Sequence, residues 1–255
     1  MSQWVRRGIQ TGIKTTAYPK RQETAAGVSP GLPVGGDYPA RTIAELIERC
    51  PTQALSEIDR RLVVDYRRCV HCSRCRHDPA MAVVWQQGYE WAGLAAGSEQ
   101  PELPGNEFRH SVNILVVDAG DCGACLHEVK QLNNPYYNMH RLGFFITPTP
   151  RQADVLLVVG PGSDQMRTAL QKAYEAMPTP KRVVAVGTCA LSGSVFGPSF
   201  VCAGGIGQIL PVDIEIPGQP PPPLAILHGL LAVVGRKAPV ALTSPESPVT
   251  PKERV

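Results

Sequence analysis

The run Cys69-Val70-His71-Cys72-Ser73-Arg74-Cys75 places three thiols on one short loop at C-x-x-C-x-x-C spacing. A thiolate is a soft anionic ligand, and three so close together suit a metal centre better than disulfide pairing. Cys122 and Cys125 form a further C-x-x-C pair, and Cys189 closes the turn Gly187-Thr188-Cys189. With Cys50 and Cys202 the chain carries eight cysteines. Met1–Gln10 lacks the apolar core and cleavage site of a secretory signal, so a reducing, cytoplasmic setting is expected. Clustered cysteines in that setting read as metal ligands.

The first group reads as most of an iron–sulfur site. Two-cluster bacterial ferredoxins repeat C-x-x-C-x-x-C-x-x-x-C-P, and the last cysteine of each run ligates the other run's cluster. Cys50-Pro51 resembles the end of a first run, and it precedes Cys69 by 19 residues, that family's interval. The first run's own cysteines are missing from Thr42–Arg49. Asp78 stands before Pro79 where the second run would end in cysteine, in a run shortened by one residue. By the crossing rule these losses delete one cluster and leave Cys50, Cys69, Cys72 and Cys75 as a full set for one 4Fe-4S cluster. The competing reading is a zinc knuckle on the same thiolates, although zinc sites usually pair C-x-x-C with a distant second pair. His71 and His77, beside the ligands, read as surface residues or hydrogen-bond donors.

The elements that must position these groups follow from patterning. The 255 residues allow one or two domains, and 43% hydrophobic content is enough for a core. A net charge of +3 is too mild to argue for nucleic acid, and no apolar run approaches the roughly 18 residues of a membrane span. Residues 1–40 read as an extended, partly amphipathic arm, with Pro and Gly concentrated over Pro19–Pro39. Residues 41–96 hold the first cysteine group, the amphipathic Ile43–Arg49 and the strand-like Leu62–Asp65. A Gly/Pro/Glu-rich linker, Gly97–Phe108, follows. From Ser111 the chain alternates strand and helix: Val112–Val117, Val155–Val159, a helix over Asp164–Met177, then Val183–Val186. That alternation predicts a parallel sheet covered on both faces. Cys122, Cys125 and Cys189 fall just past the carboxyl ends of these strands, where α/β sheets bind ligands. Residues 237–255, rich in Pro, read as a tail that is disordered or lies along a partner.

Three later motifs carry a family resemblance: Asp118-Ala-Gly-Asp-Cys122-Gly-Ala-Cys125, Gly187-Thr-Cys-Ala-Leu-Ser-Gly193, and Pro211-Val-Asp-Ile-Glu-Ile-Pro-Gly-Gln219-Pro-Pro-Pro-Pro223. In this order they resemble the small subunit of membrane-bound nickel–iron hydrogenases of the energy-converting, formate-hydrogenlyase type. They equally resemble the homologous cluster-bearing B subunit of respiratory complex I. The resemblance covers about Ser111 to Val234. It implies an α/β, flavodoxin-like parallel sheet holding a 4Fe-4S cluster against a large catalytic subunit, after a small α+β ferredoxin-like domain. The N-terminal Trp4–Pro19 segment, followed by a ferredoxin region, resembles the two-cluster ferredoxin subunit of the same complexes, whose arm lies on the membrane-arm subunits. The chain then reads as a fusion of the two subunits, trimmed to one ferredoxin cluster. Arg6, Arg7 and Lys14 with Trp4, Val5, Ile9 and Ile13 also make a basic amphipathic stretch fit for a lipid headgroup surface; a merely solvated helix is the equal alternative.

One departure matters. Where the family pattern has the fourth cysteine of P-G-C-P-P, this chain has Gln219, a neutral oxygen donor poorly suited to iron. Four arrangements stay open beside Cys122, Cys125 and Cys189: weak coordination by Gln219, recruitment of Cys202, a three-iron cluster, or an empty site. Cys202, after the strand-like Ser199–Val201, reads equally as a buried structural thiol. Asp121 and Glu128 read as loop charges, Asp213 and Glu215 as structural, and Gly204–Gly207 as no nucleotide loop, for want of a following Lys-Ser/Thr. His140 and His228 have no evident partner. No catalytic constellation is complete in the chain. The expected role is an iron–sulfur electron-transfer subunit, peripheral on the cytoplasmic face of the cell membrane. The alternatives are a complex-I-like quinone oxidoreductase subunit and a scaffold that has lost its second cluster.

Overall fold

The computed structural model describes residues 2–25, 27–77, 82–99, 108 and 110–244. Asp78, Pro79, most of the 97–108 linker and the chain beyond 244 lie outside them. In chain order come α1 (Gln3–Thr11), β1 (Leu32–Pro33), α2 (Ala40–Arg49), β2 (Leu55–Ile58), β3 (Arg61–Val64), β4 (Trp85–Gln86) and β5 (Gly93–Leu94). Then follow β6 (Val112–Asp118), α3 (Ala124–Gln131), β7 (Phe144–Ile146), β8 (Val155–Val159) and α4 (Asp164–Ala176). The last are β9 (Arg182–Val186), α5 (Thr188–Ser192), β10 (Ile214–Ile216) and α6 (Pro223–Val233).

The main sheet runs β5-β10-β9-β8-β6-β7, with every pair parallel except the edge strand β5, which is antiparallel to β10. Counted from β6, the five parallel strands stand in the order 2-1-3-4-5, the flavodoxin-like winding whose switch point lies between the first and third strands. Both faces are covered because the strands are apolar on both sides. Val155, Leu157 and Val159 of β8 face the cluster containing α6 and Val129 of α3, while Leu156 and Val158 face Leu170 of α4. Every residue of α6 is buried. Gly229 lets this helix lie directly on β10, where a side chain would drive into Ile216.

The first cysteine group sits on a smaller α+β arrangement. Ile43 and Leu46, the apolar stripe of α2, pack on Leu55, Leu62 and Val64 of the β2–β3 hairpin. The strand pair β1–β4 closes this part. Its limits differ from those read in the sequence. β5, expected with the first cysteine group, is an edge strand of the large sheet. Residues 237–244, expected to begin a disordered tail, are ordered: Val240 N–H bonds to Ala92, Tyr66 N–H to Leu242, and Ser244 N–H to Val64. The cause is unpaired backbone on β3 and β5, which this segment satisfies while burying Leu242. The arm is also tied down beyond α1. Tyr18 is fully buried, edge-on to Tyr89, and Thr16 N–H bonds to Tyr136 O. Helix α1 itself buries nothing.

Candidate metal centres

Cys50, Cys69, Cys72 and Cys75 line a single pocket, with Leu46 and Trp85 among its apolar walls. Cys50 is the residue on which α2 ends, so the helix delivers the one remote thiol to the loop carrying the other three. Ala54 N–H donates to Cys50 Sγ at 3.2 Å. His71 and Ser73, between the loop cysteines, have φ of 52° and 59°. Left-handed residues in such a loop turn successive amides toward one concavity, a recurring cradle for anionic clusters. Burial pushes the Cys69 thiol up to about 12 and raises that of Cys75. Thiols so placed keep their protons unless a cation draws them off, which bound iron does.

The second group is assembled from strand ends. Cys122 and Cys125 follow β6 at the switch point, Cys189 follows β9, and Gln219 follows β10. The charges of Asp121, Cys189 and Cys122 all act on Cys125, whose pKa burial raises. Gln219 lies against Cys189, its Oε1 at 3.6 Å and Nε2 at 3.4 Å from Sγ. The glutamine thus takes its place beside Cys189. Gly187 is required here, since a Cβ would collide with Cys125 Sγ. Cys202 is occupied elsewhere: its thiol donates to Pro161 O at 3.4 Å and accepts Gly204 N–H at 3.4 Å. It forms a tight turn with Ser199 rather than following a strand, because Gly197 and Gly204 bend the chain on either side.

The fit of an iron–sulfur group can be tested on polar atoms left without partners. Six buried side-chain atoms among the described residues make no hydrogen bond. Four of them belong to these sites: Trp85 Nε1 beside Cys75, His71 Nε2 within the first loop, Ser194 Oγ beside Cys189, and Asp121 Oδ1 beside Cys125. Buried polar groups are rarely left unpaired; Trp85, His71 and Ser194 carry N–H or O–H groups that suit an anionic cluster, whereas the Asp121 oxygen, an acceptor, does not. No three His, Cys, Asp or Glu side chains among the described residues converge tightly enough to hold one metal ion. His71 is not at the surface. Its ring packs edge-on between Trp85 and Trp91, and burial lowers its pKa to about 4. His77 is exposed.

Other candidate residues prove structural. Asp213 pairs with Arg182 at 3.1 Å and accepts Val183 N–H, and Glu215 pairs with Arg67 at 2.6 Å. His140 stacks on Phe145. His228 accepts Ala92 N–H at Nδ1 and bonds Ala238 O through Nε2. Asp121 caps α3 by accepting Gly123 and Leu126 N–H at 3.0 Å each. Gly205 packs on the Leu191 carbonyl, so the glycine run serves close approach.

A family model described as "NADH ubiquinone oxidoreductase, 20 Kd subunit" matches residues 122–233, a span that contains Cys122, Cys125, Cys189 and Gln219. A protein of Methanocaldococcus jannaschii described as uncharacterized is 42% identical over 49% of this chain and 84% of its own length. The probable membrane-bound hydrogenase subunit mbhJ of Pyrococcus furiosus is 39% identical over 49% of this chain and 75% of its own length. The chain belongs to the 20 kDa subunit family. A further relative, formate hydrogenlyase subunit 7 of Escherichia coli, is 35% identical over 51% of each chain. Members of this family are subunits of oxidoreductase complexes. The family match begins at Cys122, so it leaves the first cysteine group outside.

Proposed function

We propose that this chain is an iron–sulfur electron-transfer subunit of a membrane-associated, hydrogenase-type oxidoreductase complex, joining a ferredoxin-type part to a small-subunit part. The observation that carries the reading is the pocket walled by Cys50, Cys69, Cys72 and Cys75, with the indole N–H of Trp85 left unpaired at its edge. A 4Fe-4S cluster held there would supply one-electron chemistry. The chain's own contribution is to present four thiols, donate amides toward them, and exclude water with Leu46 and Trp85. A cluster is favoured over zinc by the sequence spacing: three cysteines at C-x-x-C-x-x-C with one remote Cys-Pro match a ferredoxin run, whereas zinc sites usually pair C-x-x-C with a distant second pair. Cys122, Cys125 and Cys189 would hold a second cluster, with Gln219 as a weak fourth donor.

The names of the relatives support the wider assembly, with a large catalytic subunit and membrane-arm subunits as partners. Two features of the surface agree. Val195, Phe196 and Phe200, the last 95% exposed, project from the loop beside Cys189, and large exposed apolar groups mark interaction surfaces. Helix α1 exposes Trp4 and Ile9 alongside Arg6 and Arg7, a composition suited to a partner or a headgroup surface. Among the described residues no helix is long and apolar enough to cross a membrane, so the attachment proposed is peripheral.

The deciding experiment is iron and acid-labile sulfide per chain after anaerobic purification, with EPR of the reduced protein. About eight irons are expected, two cubes of four. About four would leave the small-subunit part as a scaffold, a reading that Gln219 favours. Stoichiometric zinc without sulfide would sink the proposal.

A further inference from the structure

The two cysteine sites touch, and the contact is built from specific groups. Thr188, the residue before Cys189, has its hydroxyl 3.0 Å from the Cys69 carbonyl and 3.2 Å from that of Gly218. The hydroxyl has a single proton to donate, and the Cys69 carbonyl is the nearer of its two acceptors; the Gly218 carbonyl also accepts Thr188 N–H at 2.8 Å. One turn later on α5, Ser192 Oγ lies 2.9 Å from the Arg67 carbonyl, nearer than the 3.2 Å to the Thr188 carbonyl of its own helix. The two hydroxyls, at i and i+4, share one face of the helix. They grip the strand of chain that enters the C-x-x-C-x-x-C loop. Arg67 adds a side-chain hold of its own, with Nε on Glu215 at 2.6 Å and Nη2 on the Leu94 carbonyl at 3.4 Å. A further anchor comes from the loop itself. The His71 ring packs edge-on against Trp91 at 5.7 Å, and the Trp91 indole N–H donates to Pro217 O at 2.8 Å, two residues before Gln219.

We propose that the Thr188 and Ser192 hydroxyls form a clamp that fixes the first cysteine loop against the second, so that the two sites work as one coupled pair. This rests on the two-cluster reading above. Thr188 and Ser192 are positioning residues, since they touch the backbone of the loop and not a thiol. The covalent route from Cys69 Sγ to its carbonyl, across one hydrogen bond to Thr188 and on to Cys189 Sγ, passes through no other side chain. A seam held by packing alone would not need its donors aimed at the carbonyls of Arg67 and Cys69.

The test uses the full chain, purified anaerobically with its iron, as wild type, as the double variant T188V/S192A, and as T188S. Dithionite-reduced samples are read by EPR for magnetic interaction between the two reduced sites, beside iron and sulfide content. Hydrogen exchange of the 67–75 amides is read in the same holo samples. The expected result is interaction-split spectra in wild type and T188S, and two independent signals at unchanged iron in the double variant. Exchange over 67–75 should then be roughly tenfold faster or more, as two hydrogen bonds are lost. Retention of the split spectrum and of protection in the double variant, at about eight irons, would overturn the clamp while leaving the two-cluster reading intact. About four irons in wild type would overturn both.

Discussion

The two cysteine sites differ in how the chain makes them. The first draws three thiols from seven consecutive residues and a fourth from the end of α2, and needs only a helix, a hairpin and two left-handed residues to close. The second gathers its groups from the ends of β6, β9 and β10, nearly a hundred residues apart, so it exists only once the parallel sheet is wound. Their surroundings differ in charge as well. Arg49 and Arg74 line the first pocket, while Asp121 and Glu128 act on Cys125 in the second. A local site tolerates loss of its neighbour, since its ligands lie within one small unit. A group spread over a sheet can carry glutamine at position 219 in place of a thiol and keep its architecture, because β6, β9 and β10 are held by the core.

The sharpest way to break that comparison is to remove a thiol from each site. C69S should empty the first site with loss of about four irons and leave the second site's signal unchanged. C125S should do the converse. C202S should change neither, because that thiol is spent on Pro161; iron loss there would restore it as the second site's fourth ligand. Next in size is repair of the glutamine. Q219C supplies a thiolate beside Cys189, and the second site's iron should survive chelator challenge several-fold longer than in wild type. Equal lifetimes would mean that position 219 does not face the iron. Smaller again is loss of the unpaired indole donor at the first site. Donors to cluster sulfur favour the reduced, more negative state. W85F should therefore lower the first site's potential by an amount on the order of tens of millivolts, the worth of one hydrogen bond in a one-electron couple. An unchanged potential would show that the indole N–H is satisfied elsewhere.

The same contrast decides what could be read in advance. The gathering of Cys50, Cys69, Cys72 and Cys75 at one pocket was legible because three of them are adjacent and their spacing is itself the signal. The strands β6, β8 and β9 were legible as short apolar runs ending in glycine turns. Helix α6 gave no helical period, since it is buried all round and has no polar face to mark. Ser199–Val201 has the composition of a strand, yet flanking glycines make it a turn. His71 and Trp85 stand beside the ligands in space, and only the folded contact between β1 and β4 brings the indole to Cys75. His71 was marked by its place between Cys69 and Cys72, but nothing in the spacing of Trp85 marked it as a neighbour of sulfur. The proline-rich end misled in the same way: composition reads as a tail, whereas free backbone on β3 and β5 recruits residues 237–244.

That recruited segment gives the smallest and most local prediction, at the seam between the two parts. His228 on α6 accepts the Ala92 amide at Nδ1, so the proton sits on Nε2 and is donated to Ala238 O. The ring has to be neutral to serve both. Burial lowers its pKa; nearby Glu90 opposes that shift and Lys237, paired with Glu90 at 2.8 Å, adds to it. An unfolded histidine takes up its proton near pH 6.5, while the folded ring resists. The stabilisation is therefore complete above about pH 6.5 and declines as pH falls toward the folded value, by at most about 1.4 kcal/mol over the first unit. H228Q, whose amide can offer one donor and one acceptor, removes the titration. Thermal unfolding of the holo chain at about pH 7.5 and about pH 5.5 should fall further in wild type than in H228Q. An equal fall in both would show that His228 contributes nothing to the acid sensitivity, which would then lie with other groups.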